Sequence, residues 1–593
     1  MNGSGRSIQR RREKTNIDWP DHIHPVLRRI YSTRSIGSAA ELDYGLNCLC
    51  SFESLSNIDK AAGLLADLIE QQKYILIVSD YDADGATACA LAMRGLTGMG
   101  ATRVEYLVPD RFKHGYGLGP AVVELALDLN PDAIVTVDNG ISSIEGVALA
   151  RASNIAVIIT DHHLPGKQLP DASAIVNPNL PGDLFPSKCI AGVCVMFYVL
   201  AALRVELRKR DWFTKRNLPE PNLAMFMDLV ALGTVADVVP LDYNNRIMVS
   251  HGLALIRSGR GVPGIRALFE VAGKELKNLG ASDLGFAAGP RLNAAGRLTD
   301  MSLGIECLIS NDIEASYSMA KELDTLNKQR RDIQDGMHQQ AMQEVNSLHI
   351  ATDREMPYGL CLYKADWHQG VIGILASKIK DRLQRPVIAF ARDDEGVLKG
   401  SARSIVGIHI RDVIDRIATE KPELIVTFGG HAMAAGLTIH EHAYKEFSRM
   451  FNELIEIQMR ENGTDEDIYS DGELGREEIT MEVAELIRNA GPWGQGFPEP
   501  VFNGRFEVTD KRIVGENHLK LKVRSAGGTR EIDAIAFNMT NRSWPKGTTG
   551  INVVYRLDIN EYMGRRTPQL IVEYLEPINN GDSGLETRKG RLQ

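Results

Sequence analysis

The sequence predicts an α/β protein with two α/β lobes joined by a long helix and followed by a C-terminal β-barrel. Three observations support this fold class. Short apolar runs alternate with helix-like stretches from Tyr74 onward, a long segment after Asn311 contains no proline, and short alternating strands fill the last part of the chain. The 593 residues are enough for roughly three or four domains of about 150 residues each.

Four apolar runs in the first lobe have the composition of buried parallel strands: YILIVSD (74–80), VEYLVPD (104–110), DAIVTVDNG (132–140) and IAVIITDHH (155–163). Apolar strands separated by helical segments are typical of a parallel sheet with crossover helices. Aspartates lie at or near the ends of these runs: Asp80, Asp110, Asp138 and Asp161. Because ligands bind at the carboxyl ends of the strands in open α/β sheets, we expect these acids to converge.

A long helix is predicted from Asn311 to Ser347, a segment with no proline and one glycine. Apolar residues recur there at spacings of three, four or seven, and a helix of this length spans on the order of 50 Å. A second α/β lobe follows, with predicted strands GLCLYK (359–364) and PVIAFAR (386–392) around a helix near 371–383. This lobe ends in the glycine-rich segment FGGHAMAAG (428–436).

The last part of the chain has the pattern of a small barrel. The segments VFNGRFEVTD, HLKLKVRS, INVVYRLDIN and PQLIVEYLEP predict about five short strands over about 80 residues, which fits an OB-fold. We therefore expect six regions: an N-terminal extension (1–45), a first α/β domain (46–300), a connecting helix (301–350), a second α/β domain (351–460), an OB-like domain (461–580) and a disordered tail (581–593).

Composition narrows the functional classes. A net charge of −10 argues against a protein that coats nucleic acid through bulk electrostatics, because such binding depends on Lys and Arg neutralising phosphates. Metal ions and a few arginines would have to hold a phosphate ligand locally. Seven cysteines without a CxxC pair predict reduced thiols and a cytoplasmic protein. The longest apolar run, 193–203, is far below the roughly 18 residues of a membrane span, and the basic N-terminus has no apolar segment behind it, so we expect no membrane association and no secretory signal.

The segment DYDADGATA (80–88) is the first candidate for a metal site. Asp80, Asp82 and Asp84 occupy every second position, so in an extended backbone they share one side. Gly85 then permits a tight turn into a following helix. The alternatives are an acidic surface loop or a calcium loop, but a calcium loop normally stands between helices and not at the end of a buried strand.

Further ligand candidates lie at DHH (161–163) and in GTVADVVPL (233–241). Adjacent side chains on a straight strand point to opposite faces, so we expect His162 to bind metal and His163 to approach the substrate. Asp237 lies between apolar residues, where a buried carboxylate must be paired or bound to a cation. Carboxylates with one imidazole suit Mn²⁺ or Mg²⁺ better than zinc or copper.

With DYDADG, VDNG, DHH and ADVVPL in this order, the sequence resembles the DHH family of phosphoesterases. Further segments resemble the RecJ exonucleases within that family: PDRFKHGYGLG (109–119), GPRLNAAGRL (289–298), DWHQGVIGILASK (366–378), KGSARS (399–404), FGGHAMAAGL (428–437) and WGQGFPEPVF (493–502). The resemblance covers nearly all of the chain from residue 45 to residue 575. One departure is Ala402 in KGSARS, where relatives often carry glycine.

The resemblance implies a metal-dependent exonuclease that degrades single-stranded DNA in the 5′→3′ direction to 5′-mononucleotides, in DNA recombination and repair. Two divalent ions, Mn²⁺ or Mg²⁺, would activate a water and clamp the oxygens of an in-line displacement. His163 would stabilise developing charge or protonate the leaving oxygen. The implied metal ligands are Asp82 at one ion, Asp84, His162 and Asp237 at the second, Asp138 bridging both, and Asp80 at a position often held by His.

Cleavage from one end requires groups that hold the terminal phosphate, and the arginine fork suits bidentate phosphate binding. The alternatives are surface ion pairs for the arginines and helix capping for His368. Tyr116 and Trp367 are candidates for stacking on bases or for packing. By resemblance, the phosphate-binding candidates are Arg111, Arg297, Ser401, Arg403, Gly430, His431 and His368. Basic residues in the predicted barrel could add a stacking and electrostatic surface: Arg505, Lys511, Arg512, Lys520, Lys522 and Arg524.

Single-stranded DNA is the expected partner, a single-strand-binding protein and a helicase are further candidates, and we expect a monomer. Two rival functions stay open. A DHH-family phosphodiesterase of short oligonucleotides or small nucleotides would need no DNA-binding barrel. A non-catalytic replication factor of the same fold would have lost its metal ligands, whereas every expected acidic position and both histidines are intact here.

Overall fold

The computed structural model describes residues 7–13, 17–34, 36–111, 113–352, 356–393, 396–462, 467–515, 517–525, 527–537, 539, 550–562 and 564–578. The predicted tail, 581–593, lies outside the described residues. The chain divides into two compact units, Met1–Gly289 with Glu466–Gln593 and Pro290–Asp465. Among the described residues, no helix combines the length and the apolar character needed to cross a membrane.

The strands of the described residues are, in chain order, β1 (Ile8–Arg10), β2 (Tyr74–Ser79), β3 (Arg103–Leu107), β4 (Ala133–Val137), β5 (Ala156–Thr160), β6 (Ala174–Val176), β7 (Leu360–Tyr363), β8 (Val387–Arg392), β9 (Val397–Arg403), β10 (Thr427–Gly430), β11 (Ala434–His440), β12 (Ile468–Ser470), β13 (Phe502–Val514), β14 (His518–Ser525), β15 (Glu531–Ala536), β16 (Gly550–Tyr562) and β17 (Arg565–Ile578).

The α-helices of the described residues are, in chain order, α1 (Pro25–Ser32), α2 (Ile58–Glu70), α3 (Ala83–Gly98), α4 (Pro120–Leu129), α5 (Ile144–Ala152), α6 (Gly192–Lys209), α7 (Trp212–Arg216), α8 (Met227–Ala236), α9 (Tyr243–Arg257), α10 (Pro263–Val271), α11 (Ala281–Asp283), α12 (Gly289–Leu298), α13 (Ser302–Ile309), α14 (Ile313–Thr352), α15 (Ile372–Leu383), α16 (Ile410–Glu420), α17 (Tyr444–Asn462) and α18 (Met481–Asn489).

The α/β core of the first unit is a five-stranded parallel sheet in the order β3-β2-β4-β5-β6. Its central strands β2 and β4 are buried along their whole length, as expected where helices cover both faces of such a sheet. Ser79 of β2, Val137 of β4 and Thr160 of β5 are level in the ladder. The residues that follow these three strands therefore leave the sheet at one edge. The apolar run 193–203 lies inside α6, where nearly all of its side chains are buried.

The second unit contains a mixed sheet in the order β10-β11-β9-β8-β7, in which only β7 and β8 are parallel. Alternate residues of β8 face opposite sides. Phe390 packs in a cluster with residues of α16 and α17, and Ala389 packs in a cluster with residues of α14 and α15. The predicted long helix is α14, whose 40 residues correspond to a length of about 60 Å.

The C-terminal part of the first unit is a closed barrel in the order β13-β14-β15-β17-β16. Closure removes the unpaired strand edges that an open sheet would expose. Strand β15, whose pairing with β17 is parallel, was not among the four segments singled out in the sequence. With two α/β sheets, a long helix and this barrel, the predicted fold class is confirmed.

A buried ion pair within the first unit joins the N-terminal segment to the start of the barrel region. The Arg34 and Asp471 side chains are 1% and 0% exposed. Arg34 donates through Nη1 to Asp471 Oδ1 at 2.6 Å and through Nη2 to Oδ2 at 2.9 Å. The Val501 amide donates to the same Oδ2 at 2.9 Å. The Asp471 carboxylate is thus the common hydrogen-bond acceptor of the Arg34 guanidinium and the Val501 amide.

Replacing this carboxylate by Asp471→Ala should lower the free energy of unfolding by about 3–5 kcal/mol, because it leaves a buried guanidinium uncompensated. Denaturant unfolding followed by circular dichroism measures the change. Glu270→Ala removes an exposed ion pair with Arg266 and should have little effect. Equal stabilities of the two variants would contradict a structural role for the Arg34–Asp471 pair.

Candidate active site

The three aspartates of DYDADG lie on a strand-to-helix turn. Strand β2 ends at Ser79 and α3 begins at Ala83. Asp82 is the N-cap of α3, and its Oδ1 accepts from the amides of Asp84 at 3.0 Å and Gly85 at 3.1 Å. The expected extended backbone is therefore wrong, because Asp84 already lies in the first helical turn. A Cβ on Gly85 would lie 2.5 Å from the carbonyl oxygen of Asp80. Gly85 therefore lets the first turn of α3 lie close to the Asp80 backbone. It does not form the turn before the helix, as the sequence had suggested.

Asp138 follows β4 in a left-handed backbone conformation with φ of 62°. Its amide donates to the Thr160 carbonyl at 3.0 Å, and its side chain is buried. A Cβ on Gly192 would lie 2.5 Å from Asp138 Cβ, so only glycine fits at the start of α6. Non-glycine residues persist in this conformation when surrounding contacts enforce it, which is frequent at functional sites.

The carboxylate of Asp84 lies against the N-terminus of α6. Its Oδ2 accepts from the Gly192 amide at 2.6 Å and its Oδ1 from the Val193 amide at 3.0 Å. The positive end of the helix dipole favours a negative charge here. A Cβ on Gly233 of α8 would lie 2.6 Å from Asp84 Oδ1. Glycines on two helices thus leave room for this buried acid.

His162 and Asp237 complete the cluster. The Nε2 atom of His162 lies 3.1 Å from Asp138 Oδ1 and 3.5 Å from Asp237 Oδ2. The His162 Nε2 and Asp138 Oδ1 atoms are buried, and neither has a hydrogen-bond partner among the described residues. Asp237 caps the C-terminus of α8, and the next residue, Val238, has a positive φ of 60°. Two unsatisfied buried atoms that face each other fit a cation between acceptors.

Among the residues that the structure describes, three groups of donor atoms meet the spacing needed for a metal ion, with all atoms of a group within 4.8 Å of one another. Asp138 belongs to one group with Asp80 and to another with His162, which is also in the third group, so Asp138 lies between the two candidate ion positions. Oxygen donors with an imidazole fit Mn²⁺ or Mg²⁺. The groups are Asp80 with Asp82 and Asp138, Asp84 with His162 and Asp237, and Asp138 with His162 and His163.

Burial and mutual repulsion control the charges of this cluster. Burial, followed by the neighbouring aspartates, raises the pKa of Asp80, Asp138 and Asp237. The same two causes raise the pKa of Asp84 to about 7. Burial and the proximity of His163 lower the pKa of His162 to about 4, so its imidazole is neutral, which is the form that binds metals.

His163 has a different environment from His162. Strand β5 ends at Thr160, so the two imidazoles do not point to opposite faces, and their ring centroids are 4.5 Å apart. His163 Nδ1 lies 2.7 Å from Asp161 Oδ1. Burial alone would lower the pKa of His163, but the hydrogen bond and charge of Asp161 outweigh it and raise the pKa to about 9. His163 is therefore a protonated, oriented imidazole beside the metal cluster.

An aromatic and arginine group borders the cluster. Tyr116 is 44% exposed, and its hydroxyl lies 3.3 Å from the Asp138 carbonyl oxygen and 3.3 Å from His163 Nδ1. Tyr81 meets Tyr116 edge to face, and the Arg111 guanidinium lies 4.6 Å from the Tyr81 ring centroid. Tyr116 is thus accessible at the metal cluster, and its base-stacking role stays a prediction.

The remaining phosphate-binding candidates lie in the second unit. Arg403 Nη1 donates to Ser401 Oγ at 2.9 Å and to the Ala402 carbonyl at 2.8 Å. Burial lowers the pKa of Arg403, and no carboxylate of the described residues pairs with it. A cation without an acidic partner suits an anionic ligand. In the ladder, Arg403 is level with Ala434, to whose carbonyl the His431 amide donates at 2.8 Å.

Arg297, His368 and Gly430 have partly structural positions. Arg297 Nη1 donates to the Gly370 carbonyl at 3.0 Å. His368 Nδ1 accepts from the Gly370 amide at 3.1 Å, so His368 stabilises the turn before α15, in line with the capping alternative. Gly430 ends β10 with φ of 143°, a conformation that requires glycine.

Family models match three parts of the chain: the N-terminal domain of the DHH family at residues 74–234, the DHHA1 domain at 357–457 and the RecJ OB domain at 470–574. The protein named single-stranded-DNA-specific exonuclease RecJ in Dickeya dadantii is 50% identical over 96% of this chain and 99% of its own length. The protein of the same name in Escherichia coli is 49% identical over 96% and 99%.

The chain belongs to the RecJ family. The solved structure of RecJ from Thermus thermophilus in complex with Mn²⁺ is 28% identical, has a TM-score of 0.77 and covers 94% of this chain and 76% of its own. The Mg²⁺ complex from the same organism is 26% identical, with a TM-score of 0.71 and coverages of 94% and 75%. The predicted family is confirmed, and the two solved relatives are complexes with Mn²⁺ and Mg²⁺, the metals that the sequence predicts for this chain.

Within this RecJ-family chain, Trp367 is the site candidate that the structure places elsewhere. It is 3% exposed, packs in a core cluster with residues such as Leu375, and donates through Nε1 to Gln340 Oε1 at 2.7 Å. It is not available to stack on a base, and the packing alternative holds. The sequence alone did not distinguish base stacking from core packing, because an aromatic residue beside glycines is compatible with both.

Basic residues of the RecJ-family barrel are partly neutralised by neighbouring acids. Arg524 donates to Glu507 at 2.9 Å. Lys522 lies 3.5 Å from Glu531, and Lys520 lies 4.0 Å from Asp533. These three cations therefore do not form an uncompensated basic surface.

Sequence reasoning missed several supporting residues. Asp161 was noted as a strand end and as part of DHH, but its contact with His163, which orients that imidazole, was not foreseen. Gly192 and Gly233 make room for Asp138 and Asp84. In the sequence, these glycines stand at the start or end of apolar helical runs, a weak signal until the packing against the acids is known.

Metal binding by this RecJ-family site should depend on pH. Protons compete with metals for carboxylates, and the pKa of Asp84 is raised to about 7. Mn²⁺ affinity, measured by isothermal titration calorimetry, should fall by about tenfold between pH 8 and pH 6 as this group takes up a proton. Asp84→Asn should bind Mn²⁺ more weakly and with a smaller pH dependence. Equal affinity at the two pH values would contradict a raised pKa.

Proposed function

We propose that this protein is a metal-dependent exonuclease that degrades single-stranded DNA in the 5′→3′ direction, releases 5′-mononucleotides and acts in DNA recombination and repair. The observation that carries the proposal is the buried cluster in which Asp138 belongs to two metal-binding donor groups. The relatives that are about half identical to this chain are named single-stranded-DNA-specific exonucleases. Two bound ions, Mn²⁺ or Mg²⁺, would supply Lewis-acid stabilisation of the phosphoryl oxygens and an activated water.

The ligand roles follow from the environment of each side chain. Asp138 is fixed by its left-handed backbone and by contact with Gly192, as a bridging ligand must be. His162 is neutral because burial lowers its pKa to about 4. We assign Asp82 and Asp80 to one ion, and Asp84, His162 and Asp237 to the second. We assign Asp138 to both ions, because it groups with Asp80 and Asp82 and its Oδ1 lies 3.1 Å from His162 Nε2.

His163 is proposed as the group that holds a proton at the site. Asp161 receives its Nδ1–H and raises its pKa to about 9 against the effect of burial. A protonated imidazole can stabilise negative charge on a phosphoryl oxygen or donate its proton to the leaving oxygen, contributions that are typically worth about 10²–10⁴-fold in rate. The Tyr116 hydroxyl lies 3.3 Å from His163 Nδ1 and 3.4 Å from Nε2, so it is a second polar contact of the same ring.

Recognition of the 5′-terminal phosphate is proposed for the group around Arg403. Its guanidinium has no carboxylate partner among the described residues, and Ser401 Oγ lies within hydrogen-bonding distance of it. The hairpin that carries Gly430 and His431 borders the strand of Arg403 through the ladder. Arg297 and His368 hold the turn before α15, while Arg111 lies with Tyr81 beside the metal cluster of the first unit.

The barrel matches the RecJ OB domain, and a barrel of this class suits single-stranded DNA of any sequence. This argues against the rival function of a small-nucleotide phosphodiesterase, which has no use for it. The cysteines of the described residues are free thiols, which supports a reducing compartment such as the cytoplasm. A single-strand-binding protein and a helicase are the partners we propose to test, with a monomeric enzyme.

The proposal predicts metal-dependent release of mononucleotides from the 5′ end. With Mn²⁺ or Mg²⁺, a 5′-labelled single-stranded oligonucleotide should lose its label as a mononucleotide at once, and a 3′-labelled strand should shorten progressively. A blunt duplex should resist cleavage. Asp138→Asn, which keeps the size of the side chain, should lose at least about 10³-fold in rate, because it removes the shared ligand.

Other outcomes of this assay select the rivals. Early release of the 3′ label would reverse the polarity. Turnover of dinucleotides without cleavage of long strands would favour the small-nucleotide phosphodiesterase. Inactivity on every substrate would favour a non-catalytic protein of the same fold.

The two neighbouring histidines should separate into two functions. His162→Ala should weaken Mn²⁺ binding at least about tenfold, because it removes a ligand. His163→Ala should leave Mn²⁺ affinity nearly unchanged and lower kcat by about 100-fold or more. Calorimetry and single-turnover cleavage measure the two quantities. An equal loss of affinity in both variants would make His163 a metal ligand, as its membership in the third donor group permits.

A further inference from the structure

A glycine lies beside the side chains that are proposed to bind the 5′-phosphate, and its backbone conformation does not explain why this residue is a glycine. Gly373 is the second residue of α15 and has no positive φ. Glycine is a poorer helix former than alanine. Neither the helix nor a turn therefore requires glycine at this position.

The space beside Gly373 is occupied by the Arg403 and Ser401 side chains. A Cβ on Gly373 would lie 2.8 Å from Arg403 Nη2, 3.6 Å from Arg403 Cζ and 3.0 Å from Ser401 Oγ. All of these are side-chain atoms of the proposed phosphate-binding group. Because the nearest atom is the far end of a flexible side chain, an added methyl group would displace the guanidinium and leave the backbone in place.

The first turn of α15 has a further property that suits an anion. The first amide groups of a helix have no partner within the helix and lie at the positive end of its dipole. The missing side chain at Gly373 lets the Arg403 guanidinium and the Ser401 hydroxyl lie directly against this turn. Arg403 has no carboxylate partner among the described residues to hold it elsewhere. The cation, the hydroxyl and the helix start thus converge only while residue 373 lacks a Cβ.

We propose that Gly373 is the positioning residue that sets the preference for a phosphorylated 5′ end, by keeping Arg403 and Ser401 against the first turn of α15. The inference rests on the proposed function, because it concerns the same phosphate-binding group. The presence of Arg403 alone does not explain the preference. Arg403 can lie against the first turn of α15 and bind the phosphate only when residue 373 has no Cβ.

The test compares 5′-phosphorylated and 5′-hydroxyl single-stranded oligonucleotides of one sequence. For Gly373→Ala, the ratio of kcat/KM between the two substrates should fall by about tenfold or more, the size expected for losing a charge-assisted hydrogen bond. The change should lie mainly in KM of the phosphorylated substrate. The melting temperature should not fall, because alanine favours the helix. A merely structural role would instead lower stability and slow both substrates equally.

Two further variants complete the experiment. Gly336→Ala changes a helical glycine of α14 in the same unit, where a Cβ meets nothing within 4 Å, and should leave the ratio unchanged. Arg403→Met removes the charge and keeps most of the volume. In the Arg403→Met background, Gly373→Ala should have a much smaller effect on the ratio than in the wild type, because of the two displaced side chains only Ser401 remains.

The outcomes separate the two proposals. If the wild-type enzyme cleaved both substrates equally well, the recognition of the 5′-phosphate by the side chains around Arg403, which is part of the proposed function, would be wrong. A wild-type preference that persists in Gly373→Ala would overturn this inference and leave the proposed function standing. If Gly373→Ala lowered the ratio as much in the Arg403→Met background as in the wild type, the inference would also be overturned, since Gly373 would then act independently of Arg403.

Discussion

Several carboxylates lie close together in a buried part of the α/β core, and the elements around them hold them there against their mutual repulsion. The level ends of β2, β4 and β5 bring Asp80 and Asp138 to one edge of the sheet, and α3 and α8 add Asp84 and Asp237. Each acid loses hydration and meets like charges, which raises its pKa. Divalent cations remove both penalties, so the cluster is stable as a set of ionised ligands only together with its metals.

Holding the carboxylates together against their repulsion requires unusual backbone conformations and very close packing around them. Asp138 and Val238 both have positive φ, at a cost of about 1–3 kcal/mol each. One bears the shared carboxylate, and the other follows Asp237. Gly192 and Gly233 add contacts too close for any side chain. These costs are offset by the buried apolar packing of helices such as α6, so the rigid core lets the ligands keep a geometry that isolated peptides would not adopt.

Most of the fold and the identity of the metal-site acids could be predicted from the sequence, because apolar runs ending in aspartate fix both the strands and their common edge. The detailed geometry could not. Asp84 lies on a helix and not on an extended strand, since helix α3 begins one residue after Asp82. Trp367 is in the core, because an aromatic side chain beside glycines can pack in either direction. Strand β15 was not singled out because acidic residues and alanines, which are uncommon in strands, make up four of its six residues.

An enzyme with a net charge of −10 that acts on a polyanion cannot rely on its overall field. In the barrel, cations such as Arg524 are paired with acids, which further limits non-specific attraction to phosphates. Attraction then has to come from a few local positive groups: the metal ions at the carboxylate cluster and guanidinium groups such as that of Arg403, which has no carboxylate partner among the described residues. Local groups recognise a phosphate only at a defined position and orientation. The acidic composition of the chain therefore favours recognition of a strand end over binding along the strand.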